Sequence, residues 1–275
     1  MAVGVLCLGF SAIFVRWAEA PGVVSSVYRM AIAAALLALP FYRRIHGKPG
    51  LPLRAVGIAF LGGALFAADL AAWATGVTIS GAITPTLLGN TAPLWVGLGA
   101  LLIFRQRLRP TFWIGTLLAL LGIGLVLGVN TKEQALGSVL GLIAGVFYAG
   151  YFLVTQRGRE LLDSLSYFWL ATVSSALVLL ILTVGLRLPL TGYPARSYAS
   201  FLAMGIVTQV FGYLSVSYAL GHFPASVVAP TLLAQPLITA LLAVPLLGES
   251  LSLGKILGGT AVLAGVLLVH RSQPE

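Results

Sequence analysis

Residues Pro85 to Trp95 read PTLLGNTAPLW. They lie inside an apolar run, Gly81 to Phe104, long enough to cross a bilayer, yet they include two prolines, two threonines and an asparagine. A near copy, PTLLAQPL, stands at Pro230 to Leu237, 145 residues downstream. The same spacing joins Gly76 to Gly221 and Trp73 to Tyr218. Beyond Asn90 it tightens to 143, joining Pro93 to Pro236, Gly115 to Gly258 and Gly122 to Gly265. One unit has been used twice, and such a repeat fixes the architecture before any single helix is drawn.

Working outward, 59% of the 275 residues are hydrophobic and only 8% are charged. Soluble domains carry about 25% charged residues, so the composition is that of a membrane protein. Cys7 stands alone, which excludes an internal disulfide, and His46, His222 and His270 are too scattered to suggest a metal site. The net charge of +9 is explained by lysines and arginines in membrane loops, and no basic helix or soluble module points to nucleic acid. Neither a metal nor a cofactor is expected.

Apolar segments of about 20 residues span the hydrocarbon core as helices. Ten are read here, at about 2–18, 22–42, 54–78, 81–104, 110–129, 136–157, 164–186, 196–219, 224–247 and 252–270. The first has no basic residue before it, which suggests native residues upstream. Ala18-Glu19-Ala20 resembles a signal-peptidase site, but cleavage there would leave nine spans and break the repeat. Ten lysines and arginines, Arg43, Arg44, Arg105 and Arg107 among them, fall on the side of both termini. Five (Arg16, Lys132, Arg187, Arg196 and Lys255) fall on the other, and Arg29 stays inside a helix. Positive-inside bias therefore puts both termini in the cytoplasm, most simply at a bacterial inner membrane. Five spans per unit is an odd number, so the second unit must be upside down relative to the first. The expectation is an all-α integral membrane protein of ten transmembrane helices in two inverted five-helix repeats, 1–130 and 136–275. They divide near the polar connector GVNTKEQAL, Gly128 to Leu136.

Inverted repeats place a substrate site near the midplane, between the halves. Pro85, Pro93, Pro230 and Pro236 interrupt the fourth and ninth spans, freeing backbone carbonyls that are tolerated at this depth only against protein or a wet cavity. Asn90 and Gln235 add side-chain amides beside them, and are expected to line that cavity. Packing kinks and amide bonds to neighbouring helices are the structural alternative. Trp73 and Tyr218 occupy matching places near span ends, where such residues usually anchor the interface; Trp17 and Trp113 are read as anchors. Tyr148, Tyr151 and Tyr213 lie deeper, with stacking on a flat substrate or plain core packing both open. Asp69 lies roughly 22 Å along the third span, where a carboxylate is costly; it is a candidate proton-coupling site or ammonium ligand. Arg29 is read as structural, snorkelling outward or pairing with Glu19 or Asp69. Gly137, Gly141 and Gly145, and the pairs Gly124/Gly128 and Gly254/Gly258, are read as close helix contacts.

The duplicated unit resembles the EamA domain of the drug/metabolite transporter superfamily. The resemblance rests on PTLLGNTAPLW, on PTLLAQPLITALLAVPLLGESLSLGKILGGTAVLAGVLLV, and on the arginine of VYRMAIAAALL. It implies a ten-helix carrier whose central cavity is lined mainly by helices 1, 3, 4, 6, 8 and 9. It makes Asn90 and Gln235 cavity residues, with Trp73 and Tyr213 beside them, and suggests the amino-acid exporters, aromatic ones included. Arg105-Gln106-Arg107 stands where this family often has Gly-Glu, whereas Gly248-Glu249 keeps that pair after the ninth span. The leading expectation is secondary export of a small organic solute by alternating access, with the bilayer and the solute as partners, proton coupling possible, and monomer and homodimer both open. No Walker motif points to ATP hydrolysis. A ligand-binding sensor is the alternative, as is an intramembrane enzyme, although no nucleophile or metal constellation is visible for one.

Overall fold

The computed structural model describes residues 2–47, 50–95, 109–128, 132–223, 228, 232 and 234–271. Ten helical elements follow one another along these residues, with no strand among them. Helix α1 runs as Ala2–Gly9 and, past Phe10, Ser11–Trp17. Then come α2 (Gly22–Ile45), α3 (Leu53–Ser80), α4 (Ile83–Gly89) and α5 (Pro110–Gly128). The second five are α6 (Lys132–Arg159), α7 (Ser164–Gly185), α8 (Ala195–Leu220), α9 (Ala234–Leu247) and α10 (Leu253–Arg271). The middle of α8, Met204–Tyr213, is π-helical. Helices α2, α3, α6, α7 and α8 are long and apolar enough to cross a membrane, and α1, α5, α9 and α10 are shorter apolar helices. The chain is an all-α integral membrane protein, because only helices satisfy every backbone group of an apolar chain within one segment.

Punctuation residues set the helix boundaries. Pro21, Pro52 and Pro194 stand immediately before α2, α3 and α8, where a ring-fixed φ favours entry and no helical donor is lost. Gly81, at φ +92, turns the chain from α3 into α4, a backbone region that favours glycine. Glu249 follows α9, and its carboxylate accepts from the backbone N–H groups of Ala82 at 2.5 Å and Ile83 at 3.3 Å. It thus caps the first turn of α4.

Packing pairs helices of the first five with helices of the second. The broadest contacts are α3 with α6, α5 with α10, and α7 with both α2 and α3; α4 also packs on α6. Adding five to each number sends α3–α6 to α8–α1, α4–α6 to α9–α1 and α3–α7 to α8–α2, and each of these contacts is present. Contacts α2–α7 and α5–α10 map onto themselves.

Close approaches rest on glycine. A Cβ on Gly141 would lie 2.9 Å from the Pro85 backbone, and one on Gly145 would lie 2.7 Å from Thr91 Oγ1. This is how α4 seats on α6. Between α5 and α10 the contact glycines are Gly122, against Gly258, and Gly265, against Gly115. Gly124 faces open space, so it is not part of the α5 contact.

Ion pairs mark the two ends of the bundle. Arg44 meets Asp163 at 3.6 Å where α2 leaves and α7 begins, and Arg196 meets Glu19 at 3.5 Å where α1 leaves and α8 begins. Glu19 is therefore held by Arg196, not by Arg29.

Candidate functional site

One buried cavity collects side chains from six helices. Ser11 comes from α1; Asp69, Leu70 and Trp73 from α3; Thr86, Gly89 and Asn90 from the end of α4. Tyr148 comes from α6, Tyr213 from α8 and Gln235 from α9. These are the six helices named by the resemblance. The open space inside is about 20 Å³, enough for one water molecule and too little for any organic solute.

Local sequence explains how α4 reaches this point. Pro93 has no N–H to offer the Gly89 carbonyl, and the helix breaks at Asn90 and Thr91. Asn90 Nδ2 turns back to donate to the Thr86 carbonyl at 2.9 Å, and Thr91 Oγ1 donates to the Leu88 carbonyl at 2.7 Å. Trp73 Nε1 donates to Thr86 Oγ1 at 3.2 Å, which fixes the indole in the wall. Trp73 is only 7% exposed. It packs inside the wall, whereas its repeat partner Tyr218 lies at the surface beside His222.

Aromatic rings pack behind the wall. Phe66 stacks on Tyr151 at 4.5 Å and leans on Tyr213 at 4.7 Å, and Tyr148 lies 6.3 Å from the Tyr213 ring. Tyr151 is sealed behind Phe66 and does not line the cavity. Of the four prolines, Pro85 packs against Gly76 and Gly141. Pro93 is buried beyond the break, and Pro236 faces a separate apolar groove between α4, α9 and α10. None of these three lines the central cavity, and Pro230 lies outside the described residues, as do Gln106 and its two arginines. The groove is larger, about 380 Å³, but Lys255 is its one charged side chain. The central cavity, by contrast, gathers mixed polar groups from both sets of five helices, of the kind that orient a polar solute.

Arg29 departs most from expectation. It does not snorkel: it is 1% exposed, directly behind the cavity residues Ser11 and Tyr213. Arg29 Nη1 donates to Ser11 Oγ at 3.0 Å and Nε donates to Gln209 Oε1 at 2.9 Å, while the guanidinium lies 5.1 Å from the centre of the Tyr213 ring. These contacts tie α2 to α1 and α8. The π-helical stretch widens the turn of α8, and it carries both Gln209 and Tyr213 to one guanidinium. Asp69 lines the cavity and is within electrostatic reach of Arg29, Tyr148 and Tyr213. Among the described residues, however, it makes no ion pair. Sequence reading passed over Ser11, Thr86 and Gln209. For Gln209 a signal existed, a lone amide at the middle of an apolar span.

Family comparison follows the same residues. The profile of the EamA-like transporter family matches residues 1–128 and again 135–271. The chain belongs to the EamA-like transporter family. Among its relatives, the uncharacterized transporter YwfM of Bacillus subtilis (strain 168) is 28% identical over 240 residues, covering 86% of this chain and 79% of that protein. An uncharacterized transporter of Archaeoglobus fulgidus is 24% identical over 274 residues, covering 98% and 95%. A crystal structure superposes with a TM-score of 0.70 over 98% of this chain and 96% of the other, at 16% identity, and supports the fold. As an EamA-like transporter, this integral membrane protein has the bilayer and a small-molecule solute as its partners.

Proposed function

We propose that this protein is a secondary transporter that exports a small organic solute, an amino acid or a related metabolite, across a bacterial inner membrane by alternating access. One observation carries the reading. Asp69, Trp73 and Asn90 from the first five helices meet Tyr148, Tyr213 and Gln235 from the second five around one narrow cavity. A cavity of about 20 Å³ admits no such solute, so the halves must part to load it and part again to release it.

Residues 1–130 and 136–275 act in this reading as inverted repeats that rock against each other about that cavity. The five-for-five exchange of helix contacts supports the two-unit division. The excess of lysines and arginines on the side of the termini supports a cytoplasmic placement of both ends. Asp69 is the group through which a proton would be coupled, or which would hold a substrate ammonium. Asn90 and Gln235 face the solute from opposite halves.

The test is flux. Purified protein in proteoliposomes loaded with labelled amino acids should show saturable efflux, and faster exchange when unlabelled solute waits on the other side. A protein that binds solute but moves none would instead be a membrane-embedded sensor.

A further inference from the structure

The polar groups around the cavity are not paired off evenly, and the imbalance has a direction. Arg29 Nη2, Gln209 Nε2 and the Tyr148 hydroxyl are buried without a hydrogen-bond partner. The Tyr213 hydroxyl is near enough to act on Arg29 and on Tyr148. Arg29 and Gln209 satisfy each other once, through Nε and Oε1, and each then has an unused donor. The opposite need stands elsewhere on the wall: Gln235 Oε1 is a buried acceptor without a partner, and Asp69 offers a carboxylate with no ion pair. Buried polar groups are nearly always satisfied, so a cluster left open in this way calls for a partner, water in the empty site and a ligand in the loaded one. A guanidinium at membrane depth with no ion pair closed is costlier still.

We infer that Arg29 is the carboxylate anchor of the substrate, and hence that the site is built for zwitterions. The carboxylate takes the donors left on Arg29 and Gln209, and the ammonium takes Asp69 and Gln235 Oε1. Arg29 lies behind Ser11 and Tyr213, so the carboxylate reaches Nη2 only when α1 and α8 draw apart and the cavity widens. Guanidinium and carboxylate then form charge-assisted hydrogen bonds, the strongest pairing the site can offer. With Asp69 ionised, substrate and site each carry one positive and one negative charge, and no net charge is buried when they meet. This inference rests on the cavity being the solute site proposed above.

Binding to the full-length protein in detergent tests it, by isothermal titration with two series of probes. One is alanine, ethylamine and propionate; the other is phenylalanine, phenethylamine and hydrocinnamate. In at least one series the zwitterion should bind about tenfold or more tighter than either single-charge analogue, as expected for a desolvated charge pair. Removing Arg29 risks the fold, so the decisive variant is Gln209→Glu, which keeps the shape and hands Arg29 an internal carboxylate. It should remove the zwitterion's advantage over the amine, while amine affinity holds or rises because the new carboxylate offsets the repulsion from Arg29. Asp69→Asn should do the converse, bringing the zwitterion down to the carboxylate analogue. A wild-type protein with no zwitterion preference in either series overturns the inference, as does a Gln209→Glu protein that weakens amine and zwitterion alike. Zwitterion preference without flux would leave this inference standing and remove the carrier reading; flux without preference would do the reverse.

Discussion

Asp69 shows what a single residue contributes to this account. Its carboxylate is on the cavity wall, within reach of Arg29 but not bonded to it. Two uses are open to it, and they part under one substitution. If Asp69 takes up a coupling proton, Asp69→Asn abolishes proton-driven accumulation in proteoliposomes and leaves solute exchange intact. If it holds the ammonium, accumulation and exchange fall together, by about tenfold or more. Wild-type flux, affinity and pH dependence in the variant would make Asp69 structural. Asp69, Asn90 and Gln235 were legible in the sequence because a polar group inside an apolar span is conspicuous by itself. Arg29 sent the same signal, but its destination was hidden. Lipid and protein interior are equally apolar, so the sequence does not mark which face of α2 turns inward. Trp73 stood between the interface and the cavity for the same reason: depth along a helix was readable and rotation about its axis was not.

Elements add constraints of their own. The glycines of α6 were legible as a contact stripe, and Gly141 is where the α4 backbone comes closest. Gly141→Val should place two methyl groups against the Pro85 backbone, lowering thermal stability by about 1–3 kcal/mol. It should reduce transport more than its stability cost alone explains, because α4 carries Asn90. Melting and flux measured on the same preparation separate the two effects. At the start of α7, Asp163 accepts from Ser166 N at 3.3 Å and from Ser166 Oγ at 2.7 Å. Partial burial pushes its carboxyl up, but the Ser166 hydrogen bonds and Arg44 outweigh this and hold it below its ordinary value. A depressed carboxyl stabilises the fold above its unfolded pKa and loses that contribution as pH falls through the folded one. Asp163→Ala should therefore cost about 0.5–2 kcal/mol at neutral pH, and the difference between variant and wild-type melting should shrink as the pH drops below about 4. The π-helical turn of α8 had no sequence signature, because its apolar residues serve a wider helix as well as an ordinary one. With it went the means of placing Gln209.

At the scale of the molecule, the repeat was the most legible feature of all. Two Pro-Thr-Leu-Leu cores and a run of matched glycines fixed ten helices in two groups of five. Composition did the rest, because so few charges exclude a soluble fold. Orientation is argued from ten basic residues against five. Alkaline phosphatase fused within 43–54 should be silent and within 129–136 active; the reverse pattern would invert the molecule in the membrane. The central claim is narrower: Asn90 and Gln235, from opposite halves, face one cavity that opens to water and receives the solute. Cysteine accessibility tests it most directly. In a Cys7→Ser background, Asn90→Cys and Gln235→Cys should each react with a small membrane-impermeant thiol reagent, and saturating solute should slow both reactions. If both cysteines stay inert from either side of the membrane, with and without solute, the cavity is a packing defect and the account fails.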